Sequence, residues 1–291
     1  LTNLAEVQNS GFELSATYQK RLKDFHFSIG GNMSHIQNKV NAIDPGMTGE
    51  TDRHISGNKI TTRNKPMNSY YMLKWTGKIY QTQEEVNNSA RTSTTVTVGD
   101  LKYRDISGPD GVPDGIISPE YDRVPLGNSL PRFQYGGTFN ASYKGIDFSI
   151  AFQGIGKQNS YLSTAMVQPL RDNFGNVPSI LEGKYWSPFN TAEENLSAKY
   201  PRLSNVSKNN NYATSSFWMF NGSYFRLKNL TLGYTLPETW TQKAGINRVR
   251  FYVSGSDLFC LSNFPDGWDP EMSYKAYPIT TSLVMGLQVN F

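Results

Sequence analysis

The sequence predicts an all-β chain: the C-terminal part, about seven or eight strands, of a large antiparallel transmembrane β-barrel with long extracellular loops. Three observations predict it. Seven segments alternate apolar and polar residues with period two, the polar positions are mostly small and uncharged, and the connections between segments sort by length.

The first segment, 9 to 19, places Phe12, Leu14, Ala16 and Tyr18 on one parity, and the second, 24 to 38, does the same with Phe25, Phe27 and Ile29. From 132 to 143, Phe133, Tyr135, Phe139, Ala141 and Tyr143 oppose Gln134, Gly136, Thr138, Asn140 and Ser142. After a tight Lys144-Gly145 turn, the segment 146 to 157 sets Ile146, Phe148, Ile150 and Phe152 against Asp147, Ser149, Ala151 and Gln153, so the two read as a hairpin. Leu230, Leu232, Tyr234 and Leu236 define 223 to 236, and Val249, Phe251 and Val253 define 247 to 261. The last, 279 to 291, alternates through Leu283, Met285, Leu287, Val289 and Phe291.

Between these strands the connections run short (19 to 24), very long (39 to 131), short (144 to 145), long (158 to 222), medium (237 to 246) and medium-long (262 to 278). If every strand reverses direction, the long ones gather on one edge, the pattern of barrels with brief periplasmic turns and extended external loops. The faces agree. A soluble sandwich turns its apolar face inward and usually carries Lys, Glu and Arg outside; Ser, Thr, Asn, Gln and Gly suit a wet lumen, with the apolar parity toward lipid. Tyr18, Tyr143, Tyr234 and Trp240 near strand ends suit interfacial girdles.

Composition narrows the alternatives. The 291 residues are 37% apolar and 13% aromatic, enough for a sizeable core. Charged residues are only 18% and mean hydropathy is -0.51, so uncharged polar residues fill the difference, as expected of β-structure with long loops. The net charge of +4 is small and its Lys and Arg form no block, which argues against nucleic acid as a partner. Cys260 stands alone, which excludes an intrachain disulfide and any CxxC metal site. No apolar run is long enough for a membrane helix. The opening strand needs a partner in lipid, and single-chain barrels use an even number of strands, so the expectation is that further barrel strands lie on chain upstream.

Six stretches, in order, carry a family resemblance: "NSGFELSATYQ", "WTGKIYQTQEEV", "VGDLKYRDISGPDGVPDGIISPEYDRVPLGNSLPRFQYGGTFNASYKGIDFSIAFQGIG", "SYFRLKNLTLGYTLP", "RFYVSGSDLFCLSNFPDGWDPE" and "VMGLQVNF". The chain resembles the SusC-like, or RagA-like, TonB-dependent transporters of the Bacteroidetes outer membrane. The resemblance implies a 22-stranded barrel closed by an N-terminal plug, with this chain as roughly its last third. It also implies a SusD-like surface lipoprotein as lid, TonB acting through the missing N-terminal part, and a glycan or peptide nutrient as cargo. Aromatic residues of the long loops, Tyr70, Tyr71, Trp75, Tyr185 and Trp186, are then candidates for contact with the lid or the substrate. The final strand ending in Phe291 resembles the signal by which outer-membrane barrels are recognised for insertion. It implies a periplasmic C-terminus, with 39 to 131, 158 to 222 and 262 to 278 outside.

The stretch "DISGPDGVPDGIISPEYDR" admits two readings. Asp105, Asp110, Asp114 and Asp122 could supply oxygens to a structural calcium ion, but Pro109 and Pro113 lengthen the family's acidic pattern and Ser118 stands where an Asp would help. The other reading is a rigid Pro/Gly turn whose Asp side chains bond to nearby backbone amides. In either case the stretch is structural, and no cofactor is required. Of the three histidines, His26 and His35 have opposite parity and His54 lies apart; no nucleophile motif occurs, so the chain is expected not to be an enzyme. A second function class stays open at this point: a soluble extracellular β-sandwich, stabilised by calcium, that binds polysaccharide.

Overall fold

The computed structural model describes residues 5–43, 53–170, 175–206, 208–272, 277 and 279–291. The parts of the three long connections between these ranges lie outside the described residues. Seven long strands form one sheet: β1 (Ala5–Leu22), β2 (Phe25–Ile43), β3 (Phe133–Tyr143), β4 (Ile146–Gly156), β5 (Tyr224–Thr235), β6 (Arg248–Ser262) and β7 (Ser282–Asn290). They lie in chain order and every neighbouring pair is antiparallel, so the sheet is a simple meander with β1 and β7 as its open edges. All seven expected strands are present. Lys144 and Gly145 join β3 to β4 with φ of 46° and 87°, the doubly positive turn that matches strand twist.

Register carries the alternation across the whole sheet. One row of directly paired residues reads Tyr18, Ile29, Phe139, Ile150, Leu230, Gly255, Leu283, and the next reads Lys20, Phe27, Ala141, Phe148, Leu232, Val253, Met285. On the opposite face the row between them reads Gln19, Ser28, Asn140, Ser149, Thr231, Ser254, Val284. Because side chains alternate with a period of two, a one-residue slip anywhere would exchange the faces. The apolar face is uncovered: Leu232, Phe251, Leu283, Met285 and Leu287 are all exposed. Among the described residues no second sheet lies over it.

The long connections are not open loops. Within 39 to 131, the strands Arg53–Ser56, Lys59–Thr62, Ser69–Leu73 and Arg123–Leu126 make a four-stranded sheet, and Trp75–Ile79 pairs with Leu101–Tyr103. Within 158 to 222, Asn159–Tyr161 pairs with Met219–Asn221. Leu73, Leu101, Tyr103, Leu181, Trp218 and Phe264, drawn from all three long connections, share one hydrophobic core. Burial of a common core is what holds these segments together, since their strands are too short to be stable alone. The top of β2 anchors this body: Val40 is buried and its amide donates to the Lys65 carbonyl.

Candidate functional site

The polar face of the sheet is a hydrogen-bonded surface. Ser149 donates to Asn140 Oδ1 at 2.7 Å, and the Thr231 and Ser254 hydroxyls lie 2.8 Å apart. Further along, Arg250 on β6 reaches Asp147 on β4 at 2.8 Å. These side chains satisfy one another across strands, which keeps the face ordered while it stays wet.

The third long connection is moored to the same face near the loop end. Arg226 on β5 is buried and donates through Nη2 to both carboxylate oxygens of Asp269, at 2.7 and 2.6 Å. Its Nε lies 2.7 Å from Glu271 Oε2, yet the N–H is not aimed at that oxygen, so the contact is an ion pair without a hydrogen bond. Glu271 is held instead by the Tyr224 hydroxyl, which donates to Oε1 at 2.6 Å.

In the loop body a buried polar network ties the first two connections. Asp100 is fully buried; its Oδ1 accepts from Arg202 Nε and from Asn211 Nδ2, both at 2.8 Å, and its Oδ2 accepts from the Thr97 amide at 3.0 Å. Asn211 Oδ1 accepts from the Leu101 amide, and Asn210 Nδ2 donates to the Leu101 carbonyl. A buried carboxylate is tolerable only with such a set of partners. None of Asp100, Arg202, Asn210 or Asn211 stands out in the sequence, because the partners come from segments about a hundred residues apart.

The aromatic candidates divide. Tyr70 and Tyr71 are 7% and 4% exposed, against Lys59 and Arg123 respectively. Most of their area belongs to the loop body's interior, not to a contact surface. Trp75, Tyr185 and Trp186 are partly exposed and pack on the shared core. Trp75 meets Phe217 edge-on at 5.0 Å. The Trp186 ring lies over Gly99, where an added Cβ would come within 2.3 Å of it, and its Nε1 donates to Gln81. Among the described residues the most exposed loop aromatic is Phe189, at 96%, which has no place among the sequence candidates.

The acidic stretch folds around Asp122. Its buried carboxylate accepts from the amides of Ile106 and Ser118 at 2.6 Å each and of Ser107 at 3.2 Å. Asp105 Oδ2 accepts from the Gly115 amide at 2.7 Å, and Asp114 Oδ1 from the Ile116 amide at 2.9 Å, while Asp110 is exposed. Among the described residues no three His, Cys, Asp or Glu side chains converge in a way that could hold a metal ion. Three of the four carboxylates thus accept from backbone amides of the stretch, while Asp105 Oδ1 is buried without a partner among the described residues. Phe291 follows β7 and is exposed.

No family model matches the chain. Among curated proteins it is 27% identical to TonB-dependent receptor P3 of Formosa agariphila over 315 aligned positions, covering 100% of this chain and 29% of that protein. It is 28% identical to TonB-dependent receptor P26 of the same organism, with 100% and 30% covered. With TonB-dependent receptor SusC of Bacteroides thetaiotaomicron it shares 23% identity over 99% of this chain and 27% of that protein. The chain thus spans less than a third of the length of these relatives. Among solved structures it matches the RagAB peptide importer in its closed-closed state with a TM-score of 0.73 at 19% identity, over 99% of this chain and 30% of that one. The open-open state gives 0.72. The SusC-like, RagA-like resemblance read from the sequence stands, and the seven-stranded sheet with its loop body has the fold of part of such a transporter.

Proposed function

We propose that this SusC-like, RagA-like chain, similar from end to end to TonB-dependent receptors, forms the C-terminal part of the barrel wall and outer loops of an outer-membrane nutrient importer. One observation carries the reading: mostly apolar rows cross the seven strands and lie uncovered. In water so large an apolar surface would drive association; in a bilayer it is the face that meets hydrocarbon. A sandwich would need a second sheet there.

The open edges, β1 and β7, take the remaining strands of the barrel, because an unpaired strand edge in lipid costs several kcal/mol for each unsatisfied group (on the order of 2–7). The polar face lines the lumen, against which the plug sits and moves when TonB acts on the missing part. The loop body lies outside, where a SusD-like lipoprotein closes over it, and Trp75, Tyr185, Trp186 and the exposed Phe189 are the side chains offered to that lid. The cargo is a peptide or a glycan; the RagAB neighbour is a peptide importer, and the relative SusC is a TonB-dependent receptor. The C-terminus is periplasmic, Phe291 serves as insertion signal, and the chain performs transport without a catalytic step.

Assembly in the outer membrane tests this. Leu287→Arg puts a charge on the apolar face, which costs about 2–4 kcal/mol near the bilayer midplane, and should deplete the protein from outer-membrane fractions. Ser254→Arg, on the polar face, should leave it there. Equal assembly of both variants would refute the reading.

A further inference from the structure

Where the loop body meets the upper ends of β3 and β4, a cavity of about 520 Å³ is lined by Lys65, Arg132 and Lys157 together with Asn128, Asn159 and Asn221. Among the described residues no Asp or Glu lines it. Among the described residues none of the three cations forms an ion pair, whereas Arg202, Arg226, Lys228 and Arg250 each have a carboxylate partner. Lys65 and Lys157 are exposed and Arg132 is half-buried, so the three hydrated charges give the cavity a positive potential that attracts a negative group.

The amides around the cations have donors to spare. Asn128 is only 8% exposed; its Oδ1 accepts from the Leu130 amide, while its Nδ2 has no acceptor among the described residues. Asn159 Oδ1 accepts from the Asn128 amide, and Asn221 Oδ1 from the Ser223 amide, so both carboxamides are fixed through their oxygens, and neither NH₂ has an acceptor among the described residues. The Asn128 NH₂ is not sealed inside the protein, so it can donate to a group that enters the cavity. Fixed N–H donors beside lysine and arginine are the chemistry that recognises a carboxylate, sulfate or phosphate, since charge-assisted hydrogen bonds are about twice as strong as neutral ones.

We propose that this cavity is an oxyanion site, and that it holds the acidic group of a ligand at the junction of wall and loops. The inference extends the transport reading, because the junction lies at the outer rim of the barrel, where both an incoming cargo and an outer-leaflet lipid phosphate can reach it. The cavity itself does not depend on that reading.

The test is made on the whole transporter containing this chain, purified in detergent, with thermal unfolding followed in sodium sulfate against sodium chloride at equal ionic strength. Sulfate should raise the Tm beyond chloride, and the sulfate concentration for half the effect should rise about tenfold or more in Lys65→Gln/Lys157→Gln, the equivalent of one lost charged contact. Both lysines are exposed, so this variant should fold; Lys184→Gln, an exposed lysine elsewhere on the loops, serves as control and should behave as wild type. Phosphorus analysis of the purified protein separates the sources. Lipid phosphate that copurifies with wild type and is lost from the variant identifies a headgroup, while a sulfate response without it identifies a soluble ligand. No sulfate-specific rise in wild type, or an equal one in the double variant, would overturn the site. Should the chain prove soluble, the same titration runs in buffer alone, so failure of the membrane reading and failure of the oxyanion site are separate results.

Discussion

Asp147 on β4 and Arg250 on β6 pair across the intervening strand, with Nε 2.8 Å from Oδ1, by passing over Gly233 of β5. A Cβ on Gly233 would come within 2.5 Å of Arg250 Nη2 and 2.6 Å of Asp147 Oδ1. The glycine is the gap through which the ion pair closes, and the Arg250 guanidinium also lies over the Tyr252 ring, 5.1 Å from its centroid. Gly233→Ala should therefore separate the pair and destabilise the folded barrel by about 1–3 kcal/mol, the usual cost of overpacking. Urea unfolding of the detergent-folded protein measures it. The double variant Gly233→Ala/Arg250→Ala should show less than the sum of the two single losses.

Arg226 secures the third long connection through Asp269 and Glu271. Arg226→Gln leaves two acidic groups near each other without their counter-charge, and breaking a buried pair costs about 3–5 kcal/mol, less here because both carboxylates are partly exposed. Limited proteolysis of intact cells should then cut between 262 and 278 faster than in wild type, while the amount of barrel in the membrane stays the same.

Trp218 is fully buried in the loop body, with its ring 5.6 Å from Tyr212 and 6.0 Å from Tyr200 in stacked geometry, and its Nε1 donates to the Asn211 carbonyl at 2.9 Å. Trp218→Ala should cost about 3–5 kcal/mol. Because the loop core is separate from the sheet's rows, the loss should appear as protease sensitivity of residues 53 to 218 with normal heat resistance of the wall.

Burial pushes the Tyr103 and Tyr212 phenols well above their ordinary value of 10.0, with the nearby Asp100 carboxylate adding to the shift in both. A raised folded pKa means the unfolded chain ionises first. The stability tied to these groups is complete below about pH 10 and is lost as pH rises toward the folded values. The loop body should therefore loosen in alkali before the wall does. The two tyrosines differ otherwise: Tyr103 donates to the Asn210 carbonyl at 2.7 Å, while the buried Tyr212 hydroxyl has no partner among the described residues. Tyr103→Phe should cost about 1 kcal/mol, and Tyr212→Phe should cost nothing or stabilise.

The wall was legible in the sequence because its signal is local. Phe148, Leu232 and Met285 share a row, yet each declares its face through its own neighbours two residues away. Strand ends were less visible: β1 runs from Ala5 to Leu22, beyond the expected 9 to 19, because Glu6, Gln8, Lys20 and Arg21 continue the ladder with polar side chains past the apolar band. The loop body was not legible. Tyr103 and Asn210 touch across more than a hundred residues, its strands are three to five residues long, and alternation that short does not separate from chance. Tyr70 and Tyr71 read as loop aromatics and are core; Phe189 is exposed and left no periodic trace. In the acidic stretch the residue types suit either oxygen ligands or amide acceptors, and which backbone amides Asp105, Asp114 and Asp122 meet has no signal in the spacing.

The central claim is that the apolar face meets lipid, and labels on adjacent residues of β5 test it most directly. With Cys260 replaced by Ser, a nitroxide is attached at Leu232→Cys or Thr231→Cys in the whole protein reconstituted in liposomes. Collision with molecular oxygen and with a water-soluble nickel chelate is then compared. The account predicts that the label at 232 meets oxygen and is shielded from the chelate, while the label at 231 shows the reverse. Two labels equally open to the chelate, or a shielded label at 231 beside an open one at 232, would contradict it.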